Sequence, residues 1–157
     1  MLTKVKARVG DVSNWAIAVF RIVVGFLFFC HGASTLFGWF VMPYGGGTAE
    51  VGAWPSWYAG VIQFVGGLLI ILGWGTRTAA LVGSGAMAVA YFWKHQGEGL
   101  LPIQNDGDTP ALLAWALVLL VFLGPGRFAL ESVLRSGAHE EAAVGASAGR
   151  PLASVAD

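Results

Sequence analysis

The sequence predicts an all-α integral membrane protein, built as a four-helix bundle with antiparallel up-down-up-down topology and both termini on the cytoplasmic side. Two observations lead to this fold class. Hydrophobic residues make up 56% of the 157 residues and charged residues only 11%, whereas soluble domains carry roughly a quarter. The apolar residues are also gathered into long runs that exceed what one small core could bury, so lipid is expected to cover them.

Four apolar stretches account for the predicted bundle, and each approaches the length needed to cross a hydrocarbon core of about 30 Å. They cover residues 15–37, 56–74, 79–95 and 109–124. The link between the second and third stretches, Gly75 to Thr78, is so short that these two helices must form an antiparallel hairpin. Gly124, Pro125 and Gly126 end the fourth, and the transmembrane domain is therefore predicted over 15–126.

The flanking segments differ in composition from the bundle. Residues 1–14 form a basic N-terminal segment, and the apolar run that follows lacks a small-residue cleavage site, which favours a retained anchor. Residues 127–136 are predicted as a short amphipathic helix on the membrane surface. Residues 137–157 are rich in Ala, Gly and Ser, and a disordered cytoplasmic tail is expected there.

The orientation follows from the basic residues of the connections. Seven of them fall on one side of the predicted bundle: Lys4, Lys6, Arg8, Arg77, Arg127, Arg135 and Arg150. Lys94 alone falls on the other side. Since cytoplasmic loops carry the excess of Lys and Arg, both termini and the turn at Arg77 are predicted to face the cytoplasm.

Several functional classes find no support in the sequence. The formal net charge of zero argues against a nucleic-acid partner. A single cysteine, Cys30, excludes a disulfide or a dithiol pair within the chain. Nucleotide-binding, zinc-protease and EF-hand motifs are missing, as is any Ser-His-Asp order, so hydrolysis is not expected.

Small residues recur in the first three spans at helical spacing. They are Gly25, Gly32, Gly66, Gly67, Gly73, Ala79, Gly83 and Ala86. Membrane helices associate where small residues let their backbones approach, so close helix packing is the favoured interpretation. A ligand groove is the minority alternative.

Arg21 is a formal charge inside the first span, near 9 Å from its cytoplasmic edge at about 1.5 Å per residue. An unpaired guanidinium at this depth is costly. The favoured expectation is that it reaches lipid phosphates or the carbonyl groups of a neighbouring helix. The alternative is a contact with a quinone headgroup or a counter-ion.

Polar residues from three parts of the chain converge on the outer end of the predicted bundle. The candidate ligand-binding residues are His31, Gln63, His95, Gln104, Asn105, Asp106 and Asp108. Taken singly, each would more often be a solvated loop residue or a helix cap, and Asp108 or Thr109 suits the cap of the last helix. Two histidines could ligate a haem or a metal, but further ligands are needed. We therefore expect no metal and regard haem as disfavoured; hydrogen bonding between helices, or to the carbonyl group of a quinone, is the favoured role.

The order of several short motifs resembles the DoxX family of small four-helix membrane proteins, from Arg21 to about Glu131. The motifs are Arg21 with Gly25, His31-Gly32, Leu36-Phe37-Gly38, Gly66-Gly67 through Gly73 to Thr76-Arg77, Met87, Asn105 with Gly107-Asp108, and Gly124-Pro125-Gly126. Two positions depart from the family pattern. Thr35 stands where many relatives carry Lys, and Gln63 stands where they carry Glu.

The resemblance implies a function in membrane redox systems and a location in the inner (plasma) membrane of a bacterium. Related DoxD proteins belong to a thiosulfate:quinone oxidoreductase, and DoxX proteins are associated with soluble oxidant-defence enzymes. The leading expectation is a quinone-linked membrane subunit that is not catalytic alone. Its expected partners are a soluble enzyme of superoxide dismutase or sulfurtransferase type and further copies of the chain. The alternatives are a non-catalytic scaffold and a small transporter.

Overall fold

The computed structural model describes residues 2–43, 46–134 and 136, and all regular structure in this part of the chain is helical. The main helices are α1 (Leu2–Phe37), α2 (Ser56–Leu72), α3 (Thr76–Ala90) and α4 (Asp108–Leu123). Between α3 and α4 lie a π-helical turn, Tyr91–His95, and two 3-10 turns, Gln96–Glu98 and Pro102–Gln104. A short helix, α5, covers 130–134. The predicted all-α class is confirmed, while the tail over 137–157 lies outside the described residues.

The helix bounds differ from the apolar stretches at both ends of the chain. α1 begins at Leu2 rather than at 15, so the described part of the basic N-terminal segment continues the first helix. Lys and Arg are good helix formers, and helical hydrogen bonding can therefore extend past the point where hydropathy falls. The third stretch is divided, because α3 ends at Ala90 and the π-helical turn follows it.

α1 and α2 cross closely at two glycines, which confirms the packing role predicted for them. A Cβ atom on Gly32 would lie 2.3 Å from the backbone nitrogen of Phe64, and one on Gly67 would lie 2.5 Å from that of Phe29. No side chain fits at these positions, so the two backbones approach directly. Gly25 meets Ile70 further along. Residues later in α1 thus contact residues earlier in α2.

Phe28 lies at the centre of the core and is fully buried. Its ring packs against Gly66 of α2 and Gly83 of α3, at positions where a Cβ atom would come within 3.3 Å and 2.9 Å. Leu117 of α4 contacts the same place on α3. One aromatic side chain of α1 therefore touches two other helices through their glycines.

Gly73 packs closely against another segment, as predicted, since a Cβ atom there would lie 2.7 Å from Cα of Ala129, and it also ends α2. Its φ of 71° is left-handed, its N–H donates to Ile70, and the N–H of Trp74 donates to Leu69. This pair of bonds is a Schellman motif, which favours glycine at the left-handed position. It closes α2 and leaves Gly73, Trp74 and Gly75 to connect to α3.

Large apolar side chains cover the outside of the helices. α4 exposes Leu112, Trp115 and Phe122 by 71%, 74% and 75%, which water would oppose and lipid would favour. Among the described residues, the 26-residue segment Val12–Phe37 of α1 is long and apolar enough to cross a membrane, and α2 and α4 are apolar but shorter.

Candidate functional site

A cavity of about 830 Å³ lies where α1 ends, α2 begins, α3 ends and α4 begins. It brings together four of the residues predicted from sequence: His31, Gln63, His95 and Asp106. Ser34, Thr35, Lys94 and Thr109 add further polar groups, and Met87, Ala90 and Leu113 form part of its apolar wall. The cavity therefore combines polar residues at its mouth with an apolar wall.

His95 is the last residue of the π-helical turn, a type of helix distortion that often occurs at functional sites. Its Nδ1 atom lies 2.8 Å from the backbone oxygen of Asn105. A carbonyl oxygen can only accept, so Nδ1 carries the proton and Nε2 of the neutral ring is left as an acceptor. The loop thereby selects the tautomer of a cavity residue.

Asn105 organises that loop and does not line the cavity. It is 2% exposed. Its amide nitrogen donates to the carbonyl oxygen of Gly99 at 2.9 Å and lies 3.5 Å from the Tyr91 hydroxyl. Its amide oxygen accepts the N–H of Gly107 at 2.9 Å. Asn105 is thus a positioning residue for His95 rather than a group that meets a ligand.

Gln63 carries a buried polar atom that lacks a partner within the described structure. Its amide nitrogen points at the sulfur of Met87, 3.8 Å away, and its oxygen Oε1 is buried without a hydrogen bond. Turning the amide round would place oxygen beside a sulfur that has no proton to give. Since unpaired buried acceptors cost about 1–3 kcal/mol, a donor supplied by a ligand or water is expected here.

The hydroxyl groups of two residues in α1 donate hydrogen bonds to backbone carbonyls. Ser34 donates to the carbonyl oxygen of Val41 at 2.7 Å, and Thr35 donates to that of His31 at 2.9 Å. Both residues line the cavity, where their oxygens can still accept. His31 itself is exposed at the mouth. Sequence reasoning missed Ser34 and Thr35, although they follow His31 by three and four residues, the spacing of one helix face.

Of the other predicted loop residues, Gln104 and Asp108 do not line the cavity, whereas Asp106 does. Gln104 accepts a hydrogen bond from the backbone of Leu101 at 3.3 Å and so serves the loop. Asp108 is exposed in the first turn of α4, which begins without a side-chain cap. Asp106 differs because it lines the cavity, and its φ of 52° turns the chain there.

Arg21 lies far from this cavity and binds backbone carbonyl groups. It is 1% exposed, and its guanidinium donates to the oxygens of Pro125, Arg127 and Phe128, the last at 3.2 Å. The expectation was lipid phosphates or the carbonyls of a neighbouring helix; the contact is with backbone carbonyls, but they belong to the non-helical segment that follows α4. The described contacts give Arg21 a structural role.

Arg77 acts on the same region from α3. Its guanidinium donates to the oxygens of Val121 and, at 3.1 Å, of Phe122. The last carbonyls of a helix have no partner within it and carry the negative end of its dipole. Arg77 therefore caps α4, and with Arg21 it holds the segment that leaves this helix.

A second cavity, of about 490 Å³, lies between α2 and α3 on the outside of the bundle. Its lining is almost wholly apolar and includes Val65, Leu69, Trp74 and Val82. It offers volume without the polar groups that would orient a ligand. Within the described residues no group of three or more His, Cys, Asp or Glu side chains is placed to hold a metal ion.

Over the described residues, helices alone as regular structure, exposed apolar helix faces and a polar cavity at one end are typical of a small helical membrane protein. The DoxX family model matches residues 16–96, more than half of the chain, and the chain belongs to this membrane family. It is also similar to an uncharacterized protein of Haemophilus influenzae, 40% identical over 119 residues that cover 74% of this chain and 88% of the relative. No solved structure matches the chain.

Proposed function

We propose that α1 to α4 cross the plasma membrane of a bacterium as an antiparallel four-helix bundle with both termini in the cytoplasm. The opposite order of contacts along α1 and α2 supports this topology. The exposed apolar side chains of all four helices support several spans rather than one. The excess of Lys and Arg at the Arg21 end supports the orientation, which puts the polar cavity at the outer leaflet.

Within this bundle, the proposed activity is that of a quinone-linked redox subunit whose polar cavity receives the headgroup. The observation that carries the proposal is the buried, unpartnered Oε1 of Gln63 in the same cavity as His95. Small-molecule sites combine an apolar wall with a few placed polar groups, and this cavity does so. Gln63 and His95 would orient the ring, and Met87 and Leu113 would contact its apolar face.

The chain's own residues suit binding better than chemistry. Gln63 cannot act as a proton acceptor in the way a carboxylate can, although its amide can orient a ligand. Asp106, His31 and His95 line the cavity and carry groups able to take a proton. A quinone or quinol, when bound, would supply the redox chemistry, and a soluble oxidoreductase would exchange electrons with it. The subunit is therefore proposed to act as part of a complex.

Purification in native lipid followed by extraction tests this proposal. The wild-type protein should retain quinone or quinol in a fixed ratio to protein, and Gln63→Leu should lower that ratio several-fold. Gly85→Ala is the matched control, because a Cβ atom there meets nothing within 4 Å. Equal retention by wild type, Gln63→Leu and an unrelated membrane protein would refute the proposal.

A scaffold role is the second candidate, and the loops at the cavity end favour it. Val51, Leu100 and Ile103 are exposed by 87%, 80% and 78%, outside the main helices. Apolar residues at such positions suit a protein or headgroup contact. Cross-linking in cells separates the two roles, since a scaffold should lose its partner in Ile103→Asp and remain indifferent to Gln63→Leu.

A further inference from the structure

The hydrogen-bonding groups of the polar cavity are unevenly divided between acceptors and donors. Oε1 of Gln63 is buried and accepts from no described group. Nε2 of His95 is an acceptor, because Nδ1 is engaged by the Asn105 carbonyl at 2.8 Å. At these two positions the protein has no proton to give.

The other polar groups near them extend the pattern. The hydroxyl protons of Ser34 and Thr35 are directed to backbone carbonyls at 2.7 Å and 2.9 Å, which leaves only lone pairs for the cavity. Asp106 adds a carboxylate, which accepts when ionised. A ligand that pairs with these acceptors must bring protons of its own.

The donors of the lining occupy different surroundings. Lys94, His31 and the hydroxyls of Ser56, Thr48 and Thr109 are exposed, so water can satisfy them without a ligand, as it can the exposed acceptor Asp106. The amide nitrogen of Gln63 is directed at the Met87 sulfur. Among the described residues of the lining, the buried side-chain atom without a hydrogen-bond partner is an acceptor, Oε1 of Gln63. A missing bond at a buried atom costs more than a formed bond contributes.

Resting on the proposed function, we propose that this cavity selects the reduced form of its ligand, a dihydroxyaromatic ring whose hydroxyl groups donate to Gln63 and His95. The oxidised quinone presents two carbonyl oxygens, which are acceptors and cannot satisfy either atom. The proposal concerns binding, and it makes the outer end of the bundle a quinol site rather than a quinone site.

Anaerobic binding measurements on the purified chain in nanodiscs test the selection. The probes are a decyl-substituted benzoquinol, the corresponding benzoquinone, and the dimethyl ether of the quinol, which keeps the ring but has no hydroxyl proton. The quinol should bind about tenfold more tightly or better than both others, as expected for one or two buried hydrogen bonds. Because these comparisons use the wild-type chain, they do not depend on a variant that folds.

Substitutions at Gln63 locate the selection. Gln63→Leu should reduce the preference for quinol over quinone by about tenfold, while Gln63→Glu, which keeps an acceptor at the same place, should retain it. Quinone binding equal to or tighter than quinol binding would overturn this inference and leave the proposed function standing. If neither form binds, the inference and the proposed function are both wrong.

Discussion

The Nδ1 atom of His95 and the backbone oxygen of Asn105 lie 2.8 Å apart, and this contact joins the loop before α4 to the polar cavity. The Asn105 side chain is bonded to Gly99 and Gly107 and so holds the carbonyl in place. The tautomer of a cavity residue thus depends on an asparagine that does not line the cavity. Substitution of Asn105 therefore tests the link between the loop and the cavity.

Asn105→Ala is expected to loosen the loop and weaken ligand binding together. The change leaves the Gly99 carbonyl and the Gly107 N–H without their partner, which should cost about 1–3 kcal/mol of unfolding free energy. Thermal unfolding in detergent measures the loss. Gln104→Ala is the control in the same turn, and a loss as large there would contradict the central position given to Asn105.

Replacing Arg77 should affect α4 without touching the cavity. Arg77→Ala removes the guanidinium that caps Val121 and Phe122, with an expected cost of about 0.3–1 kcal/mol. Arg77→Lys keeps the charge near the helix end and should recover part of it. Hydrogen exchange of the last turn of α4 reports the effect, and unchanged protection in Arg77→Ala would show that the cap is unimportant.

Arg21→Met should free the segment after α4. The guanidinium donates to three backbone carbonyls. Without it, each carbonyl that water cannot reach becomes an unpaired buried acceptor, which should lower the free energy of unfolding by about 1–3 kcal/mol. Limited proteolysis between Gly124 and Ala129 should become faster. Val23→Ala, at an exposed position of the same helix, is the control. Equal cleavage rates in both variants would contradict the structural role of Arg21.

Gly32→Ala should destabilise the bundle, and Gly85→Ala should not. The added methyl group at Gly32 would lie 2.3 Å from a backbone nitrogen, so α1 and α2 must separate, at an expected cost of about 1–3 kcal/mol. At Gly85 the methyl group meets nothing within 4 Å, and alanine is the better helix former. Similar unfolding temperatures for the two variants would contradict the close crossing.

The membrane orientation predicts which engineered cysteines can be labelled from outside intact cells. In a Cys30→Ala background, Glu98→Cys should react with a membrane-impermeant maleimide, because the proposed orientation puts the loop before α4 outside. Thr78→Cys, beside the α2 to α3 connection, should react only after the cells are opened. The reverse pattern would overturn the orientation.

The helices could be predicted from hydropathy, whereas their ends could not. Apolar runs locate α1 to α4 because helix faces against lipid or core are apolar. Hydropathy does not locate the start of α1, because its helical hydrogen bonding extends through polar residues to Leu2. The close approach at Gly32 and Gly67 was also predictable, since small residues at helical spacing favour it. The helix-ending role of Gly73 was not, because a glycine within an apolar helix and one that ends a helix look alike in sequence.

Part of the candidate site followed from position along the helices. His31, Gln63 and His95 were predicted at one level by counting about 1.5 Å per residue, and they line one cavity. The roles of the loop residues could not be predicted in this way. Local turns, including a positive φ at Asp106, bring Asp106 to the cavity and bury its neighbour Asn105 within the loop. The carbonyl partners of Arg21 lie 104 to 107 residues away, and hydropathy does not select among such distant partners.

Photolabelling with an azido-substituted benzoquinol, followed by peptide mapping, tests the central claim that the polar cavity holds the ligand headgroup. The label should fall on the segments that carry Gln63 and His95, and excess decyl-benzoquinol should suppress it. Labelling confined to the second, apolar cavity beside Leu69, Trp74 and Val82 would contradict the claim, as would labelling that excess quinol leaves unchanged.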